Sequence, residues 1–178
     1  MNVGDELYAD PWLRIDLVEG VRGDGTRYPH RRVVSGIGHG ALVVPVVDGL
    51  GGLGSRRMVL VQQARPAAGL DLSWEFPRGR TDDAGSEEAA RELAEETGLV
   101  PVALEHLGTL SIDTGLLGNT VGIWLAILDE DSLPHLEQHL DPESCARPAL
   151  FPEQVVKRML CEGKIRCAMT AAALALLG

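Results

Sequence analysis

The chain has 178 residues, of which 45% are hydrophobic and 24% charged, and its formal net charge is −10. This length fits one domain with at most a small appendage, and the composition is that of a globular protein. The acidic excess argues against a protein whose main partner is nucleic acid, because phosphate neutralisation needs Lys and Arg in excess.

The first part of the chain is predicted to consist of strands. WLRIDLVEGV alternates apolar and charged residues from Leu13 to Leu17, as a half-buried strand does. Asp24 and Gly25 follow as a hairpin turn, and RRVVSG supplies the returning strand. ALVVPVV and RMVLVQQ, separated by DGLGGLGS, predict two further strands.

The second part mixes helices and strands. Residues 86–98 predict a helix with Ser86 as its N-cap and Gly98 as a left-handed stop. LVPVALEHLGTL and TVGIWLAIL are typical of strands. A helix is predicted from Phe151 to Cys161, with Pro152 in its first turn, and the last ten residues predict another. Because the elements do not alternate strictly, the pattern favours an α+β domain with a mixed sheet.

Two short motifs are assigned to structure rather than to chemistry. GLGGLG at residues 49–54 matches the dinucleotide-binding fingerprint, but a strand follows it where that fingerprint needs a helix. We therefore expect a hairpin loop. His135 and His139 have zinc-ligand spacing, yet Leu136 stands where metalloproteases have glutamate and Cys145 makes an unconvincing third ligand. A polar surface helix is the preferred interpretation.

The termini and the cysteines bear on location. MNVGDELYAD lacks the basic start and apolar run of a signal peptide, and no apolar segment reaches the length that spans a bilayer. Cys145, Cys161 and Cys167 are an odd number without secretory context, which favours reduced thiols. We expect a cytoplasmic protein without a membrane partner.

The predicted helix at 86–98 carries an unusual acidic cluster. Glu88, Glu92, Glu95 and Glu96 follow each other at i+3 and i+4 spacing on one face, where like charges repel. A solvated helix face is the usual explanation for such a run. A Mg²⁺ site explains it equally well, because Mg²⁺ takes oxygen ligands and bridges carboxylates to phosphates. Such an ion would also reconcile an anionic substrate with this acidic chain.

The acidic helix resembles a known motif. RELAEETGL matches the end of the Nudix box, Arg-Glu-apolar-x-Glu-Glu-x-Gly-apolar, at every defined position from Arg91 to Leu99. VQQARPAAG followed by WEFPRG resembles the segment that leads into the box in ADP-ribose pyrophosphatases. LGTLSIDTG and LCEGKIRCAMTAAAL resemble their downstream strand and C-terminal helices, and the N-terminal hairpin resembles their small β module.

The resemblance implies a fold and an assembly. It implies an α+β protein, the α/β/α sandwich of the Nudix fold, with a mixed β-sheet and an N-terminal β-hairpin module. The module is expected at residues 1–36, with dimer contacts, and the Nudix hydrolase domain at 37–178. The implied protein is a homodimer that acts on a small nucleotide diphosphate, with neither nucleic acid nor membrane as partner.

The resemblance also implies a metal site. Glu92, Glu95 and Glu96 match the positions that bind magnesium or serve as base, and the carbonyl of Arg78 matches a main-chain ligand before the anchoring glycine, Gly79. The implied cofactor is Mg²⁺, or Mn²⁺ in its place. Two or three such ions would neutralise a diphosphate and activate a water for attack on phosphorus.

Further site residues follow from the same comparison. Arg91 is expected to orient the acids around it, and Arg65 to contact phosphate through its planar fork, with a surface salt bridge as the alternative for Arg65. The late segment offers Glu130, Glu137 and Glu143 as an added ligand or base, or as solvated loop residues. The implied catalytic residues are Glu92, Glu95, Arg91 and Glu143, and the implied substrate-binding residues are Arg65 and Glu75.

The segment before the helix departs from the family pattern. Counting back from Arg91 places Asp83 where the box has a glutamate and Pro77 where it has a glycine. If Gly79 is the anchoring glycine instead, the glutamate position falls on Gly85 and the loop is two residues shorter. Asp82 or Asp83 could replace the missing carboxylate.

The resemblance implies an activity with two rivals. The first choice is Mg-dependent hydrolysis of the diphosphate bond in a nucleoside diphosphate sugar, with ADP-ribose giving AMP and ribose 5-phosphate. Thr114 stands where ADP-ribose pyrophosphatases have proline, and Asn119 where they have an acidic residue. Both favour, as an alternative, a Nudix hydrolase of another nucleotide or nucleotide sugar. The altered loop 79–85 leaves open a non-catalytic nucleotide-binding sensor, against which the intact acidic cluster argues.

Overall fold

A computed structural model describes residues 2–35, 39–47, 56–81, 85–136 and 147–178. A small antiparallel sheet contains β1 (Glu6–Ala9), β2 (Leu13–Val21) and β3 (Arg27–Ser35). A larger mixed sheet contains β4 (His39–Val47), β5 (Arg57–Arg65), β6 (Leu70–Glu75), β7 (Arg78–Thr81), β8 (Ala103–Ser111), β9 (Thr120–Ile127) and β10 (Arg147–Pro152). The α-helices in these ranges are α1 (Ser86–Thr97), α2 (Glu153–Cys161) and α3 (Ala168–Leu177).

The larger sheet lies between helices on both of its faces. Its strand order is β10-β5-β4-β9-β8, with β4 and β9 parallel and the other pairs antiparallel. Strand β4 is buried on both faces, as a near-continuous apolar run predicts. Leu42 and Val44 face α2 and α3, whereas Ala41 and Val43 face Ala89 and other residues of α1. This arrangement confirms the predicted α+β fold and α/β/α sandwich.

Strands β4 and β5 diverge along their length, and the gap between them positions the candidate site. Among the described residues, they pair with each other through Val46–Val47 and Arg57–Met58. Beyond that point β7 pairs with residues 39–42 of β4, while β6 pairs with residues 61–65 of β5. The segment from β6 to β7 therefore fills the opening, next to α1.

The small sheet is joined to the larger unit through β3. The predicted hairpin is present, and Gly25 adopts φ 83° in its turn. The Val33 amide donates to the Leu116 carbonyl at 2.9 Å. Buried Asn119 accepts from the Ser35 amide at 3.0 Å, and its side-chain nitrogen donates to the Ser35 hydroxyl at 3.1 Å. Asn119 thus acts as a structural link between the two sheets.

Some local predictions are wrong. Gly85, not Ser86, is the N-cap of α1, and no side chain caps that end. Phe151 and Pro152 belong to β10, because they pair with β5, so α2 begins at Glu153. The loop predicted at residues 49–54 lies outside the described residues. No helix in the described ranges is both long enough and apolar enough to cross a membrane.

Candidate active site

Helix α1 presents one apolar side to the sheet and its acidic side to the gap between β4 and β5. Ala89 and Leu93 are fully buried in the cluster that includes β4. Gly98 takes φ 76° and ends the helix as predicted, with its amide bonded to the Ala94 carbonyl at 2.8 Å. Because the apolar side is anchored in the core, the glutamates on the other side have a fixed position.

The guanidinium of Arg91 connects three of these glutamates. It donates to Glu95 at 2.6 Å, to Glu92 at 2.6 Å and to Glu88 at 2.9 Å. These bonds, Glu95 first, raise the pKa of Arg91 above its ordinary value. Arg91 therefore offsets the repulsion among carboxylates that helical spacing brings together.

Glu92 lies directly against the backbone of Gly79. The glutamate is 7% exposed, and a Cβ built on Gly79 would lie 2.0 Å from its carboxylate carbon and both oxygens. Any residue other than glycine at position 79 would overlap this carboxylate. Burial raises the pKa of Glu92, while the charge of Arg91 opposes the shift.

Glu96 is held by strands rather than by Arg91. Its two carboxylate oxygens accept from the Gln63 side-chain amide at 2.6 Å and from the Arg78 backbone amide at 3.1 Å. Burial raises the pKa of Glu96 to about 7, and the two hydrogen bonds limit the rise. Sequence reasoning missed Gln63, although it lies two residues before Arg65 on β5 and so on the same face.

A second cluster of charged side chains, centred on Glu75, lies next to the one around Glu96. The carboxylate of Glu75, buried at the end of β6, accepts from Arg65 at 2.9 Å and from the Arg78 side chain at 3.0 Å. Burial favours a higher pKa for Glu75, but the two guanidinium groups outweigh it and lower the pKa below its usual value. Arg65 is thus ion-paired, but with a buried carboxylate and not in a surface salt bridge, and Arg78 links the groups around Glu75 and Glu96 through its side chain and its backbone amide.

Two cavities flank residues 78–79. One, of about 230 Å³, lies between β3 and β9, and its lining is mainly apolar, including Leu13, Val33 and Val121. The other, of about 410 Å³, is lined by Arg65, Arg78 and other residues near the start of α3. The acidic helix and two cavities of different character therefore meet at one short backbone segment.

Several expected residues are not tested by the described geometry. Those outside the described ranges are Asp82, Asp83, Glu137, His139, Glu143 and Cys145. Glu130 is described and forms an ion pair with Arg57, at the opposite end of β5 from Gln63. The described cysteines, Cys161 and Cys167, are both free thiols.

No group of three His, Cys, Asp or Glu side chains among the described residues is arranged to hold a metal ion. The hydrogen bonds explain why the glutamates of α1 do not converge on one point, because Glu95 turns to Arg91 whereas Glu96 turns to Gln63. The oxygen donors that Mg²⁺ prefers are nevertheless present on adjacent turns of α1 and beside the backbone of Gly79.

Comparison with known proteins identifies the family. The sequence model of the NUDIX domain matches residues 39–158, which include the acidic helix and Gly79. A solved structure described as "Crystal structure of ADP compounds hydrolase" is similar with a TM-score of 0.74 and 20% identity, over 97% of this chain and 88% of that chain. At this identity the structural likeness supports the fold, and the family match covers more than half of the sequence. The chain belongs to the Nudix hydrolase family.

Proposed function

We propose that this Nudix hydrolase splits the diphosphate bond of a nucleoside diphosphate sugar in a Mg²⁺-dependent reaction. ADP-ribose, giving AMP and ribose 5-phosphate, is the first choice. The observation that carries the proposal is the meeting of two α1 carboxylates at one backbone segment. Glu92 lies against Gly79, and Glu96 accepts from the Arg78 amide.

The donor set fits magnesium. Glu92, Glu95, Glu96 and the Arg78 carbonyl offer only oxygen ligands, which Mg²⁺ prefers. Burial raises the pKa of both Glu92 and Glu96, so their charged forms lack full compensation without a cation. When bound, Mg²⁺ would neutralise the diphosphate and activate a water for attack on phosphorus.

The surrounding residues would orient this set. Arg91 holds Glu92 and Glu95, the two glutamates proposed to be catalytic, through short charge-assisted hydrogen bonds. Gln63 restrains Glu96, a proposed metal ligand, by holding one of its carboxylate oxygens. These bonds restrict the rotamers of the glutamates before substrate arrives, which lowers the cost of ordering them.

Arg65 and Glu75 are proposed to act together on substrate. Arg65 contacts a phosphate through its planar guanidinium, which matches phosphate geometry. Glu75 is buried behind Arg65 and Arg78 and accepts from both. We assign it the role of positioning those two side chains, so that its effect on substrate binding passes through them.

Support for an ADP compound comes from two directions. The similar solved structure is that of a hydrolase of ADP compounds, which makes ADP derivatives the first class to test on this protein. The mainly apolar cavity of about 230 Å³ beside Gly79 has the size and character that suit a nucleobase.

The proposal includes Glu143 as a catalytic residue from the late segment and a homodimer formed through residues 1–36. Exposed apolar side chains within residues 1–36 support the dimer: Tyr8 on β1 is 49% exposed, Val21 at the end of β2 62%, and Trp12 in the connection between these strands 65%. Large apolar side chains that a single chain leaves exposed are available to be covered in a protein interface. Cross-linking of the full chain with and without residues 1–36 would test this assembly.

Product analysis tests the proposed reaction. The protein is incubated with Mg²⁺ and a panel of ADP-ribose, other nucleotide sugars, dinucleoside polyphosphates and nucleoside triphosphates. Release of AMP from ADP-ribose by the parent, and its loss in Glu96→Gln, is the expected result. Cleavage of another panel member alone would replace the substrate. Tight nucleotide binding without any turnover would refute hydrolysis and favour a sensor.

A further inference from the structure

The cavity of about 410 Å³ near the start of α3, here called the arginine pocket, has an unusual charge for this chain. Its charged lining residues among those described are three arginines, Arg65, Arg78 and Arg166, and one acid, Glu75. The lining is therefore positive, in a protein whose formal net charge is −10. A concentration of cations against the overall charge indicates a site for an anion.

The single carboxylate in the described lining of the arginine pocket is already engaged. Glu75 accepts from Arg65 at 2.9 Å and from Arg78 at 3.0 Å. Arg166 directly precedes Cys167 and α3, it is exposed, and no ion pair within the described ranges includes it. One full positive charge of the pocket thus has no protein partner in this part of the structure.

The arginine pocket lies on a different side of Arg78 from the acidic helix. The backbone amide of Arg78 donates to Glu96, whereas its guanidinium donates to Glu75, which lines the pocket. A diphosphate placed at Gly79 by the acidic helix and contacted by Arg65, whose charge acts on Glu96, would leave the rest of the pocket, with Arg166, for the part of the substrate beyond that diphosphate. A cavity of about 410 Å³ exceeds the needs of an inorganic ion and admits a sugar phosphate.

We propose that the arginine pocket binds a phosphate group carried on the distal sugar of the substrate, with Arg166 as the specificity-determining residue. This inference rests on the proposed function and refines its substrate class: nucleoside diphosphate sugars whose distal sugar carries a phosphate are hydrolysed in preference to the unphosphorylated compound, ADP-ribose included. A guanidinium binds a phosphate monoester through paired charge-assisted hydrogen bonds, whereas a neutral sugar leaves its charge uncompensated.

Binding of ribose 5-phosphate to the metal-free protein tests the arginine pocket directly. In a chelator the box glutamates repel a phosphate, so calorimetry reports the pocket. We expect ribose 5-phosphate to bind, ribose to bind much more weakly, and Arg166→Gln to weaken ribose 5-phosphate binding about tenfold or more. Arg158→Gln is the control, because Arg158 is an exposed arginine of α2 that lies outside the pocket and forms an ion pair with Glu162, just after the helix. Equal affinity of the parent and Arg166→Gln would overturn the proposal.

Turnover separates this inference from the proposed function. The parent should hydrolyse ADP-ribose bearing a phosphate on its distal ribose with a higher kcat/KM than ADP-ribose, and Arg166→Gln should abolish that preference. If ADP-ribose is hydrolysed but the preference is absent, the proposed function stands and the arginine pocket proposal is wrong. If nothing is hydrolysed while ribose 5-phosphate binding depends on Arg166, the proposed function is wrong and phosphate binding by the pocket is supported.

Discussion

Replacing Gly79 by alanine should move Glu92 and reduce hydrolysis. The added Cβ would lie 2.0 Å from the Glu92 carboxylate, whereas ordinary contacts begin at 3.4 Å. The carboxylate or β7 must therefore shift by about 1.4 Å, the difference between these distances. A displacement of about 1 Å at a catalytic group costs on the order of 10²-fold in rate, so we expect kcat/KM to fall about 100-fold.

The assay is Mg²⁺-dependent release of AMP from ADP-ribose, together with the Mg²⁺ affinity by calorimetry. Gly23→Ala is the matched control, because a Cβ at that exposed position meets nothing within 4 Å. Thermal unfolding establishes that Gly79→Ala is folded, with a loss of about 1–3 kcal/mol from overpacking. A folded Gly79→Ala protein with unchanged kcat/KM and Mg²⁺ affinity would refute the placement of Glu92 at the reaction centre.

Three further predictions concern the neighbourhood of this centre. Gln63→Leu removes the hydrogen bond to Glu96 and should raise the pKa of that glutamate, so the acidic limb of the kcat/KM profile should move to higher pH. Gln62→Leu serves as the control. An acidic limb that does not move would contradict the role given to Glu96. In metal-free protein, burial raises the pKa of Glu96 from 4.5 to about 7, so the native state binds the proton more tightly and loses stability as the pH rises across this range. Glu96→Gln lacks this titrating carboxylate, so it should not lose stability in this way. Its unfolding free energy should therefore rise relative to that of the parent by up to roughly 3 kcal/mol as the pH increases from 4.5 to about 7, and a pH-independent difference would refute this. Asn119→Ala leaves the Ser35 amide without its acceptor and should lower the unfolding free energy by about 1–3 kcal/mol in denaturant titrations, whereas a smaller loss would contradict its linking role.

The parts of the fold that were predicted correctly have a strong local signal. The apolar runs of β4 and β5, the alternation in β2 and the helix with its stop at Gly98 all follow from periodicity and turn chemistry. Strands β6 and β7 were missed, because the divergence of β4 and β5 creates their partners and no local pattern encodes it. Phe151 was assigned to a helix for the same reason, since its pairing with Met58 is non-local.

In the candidate site, too, features with a local sequence signal were predicted and contacts between distant residues were not. The sequence places Glu92, Glu95 and Glu96 on one helix, and the structure confirms that helix and puts Gly79 against the first of them, while their metal-binding and catalytic roles stay predictions. The contact between Gln63 and Glu96 joins β5 to α1 across 33 positions of sequence, so no spacing rule could indicate it. The sequence also could not show that Glu96 turns away from Arg91, because helical spacing places Glu96 on the same face as Glu88, Glu92 and Glu95.

The most direct test of the account compares two glutamates of the same helix. Glu92→Gln removes a buried carboxylate at Gly79, whereas Glu87→Gln makes the same charge change at an exposed position in the first turn. At saturating Mg²⁺, AMP release from ADP-ribose should fall by about 10² or more in Glu92→Gln and stay within about twofold of the parent in Glu87→Gln. Equal rates in the two folded variants would contradict the claim that α1 carries the metal-dependent chemistry.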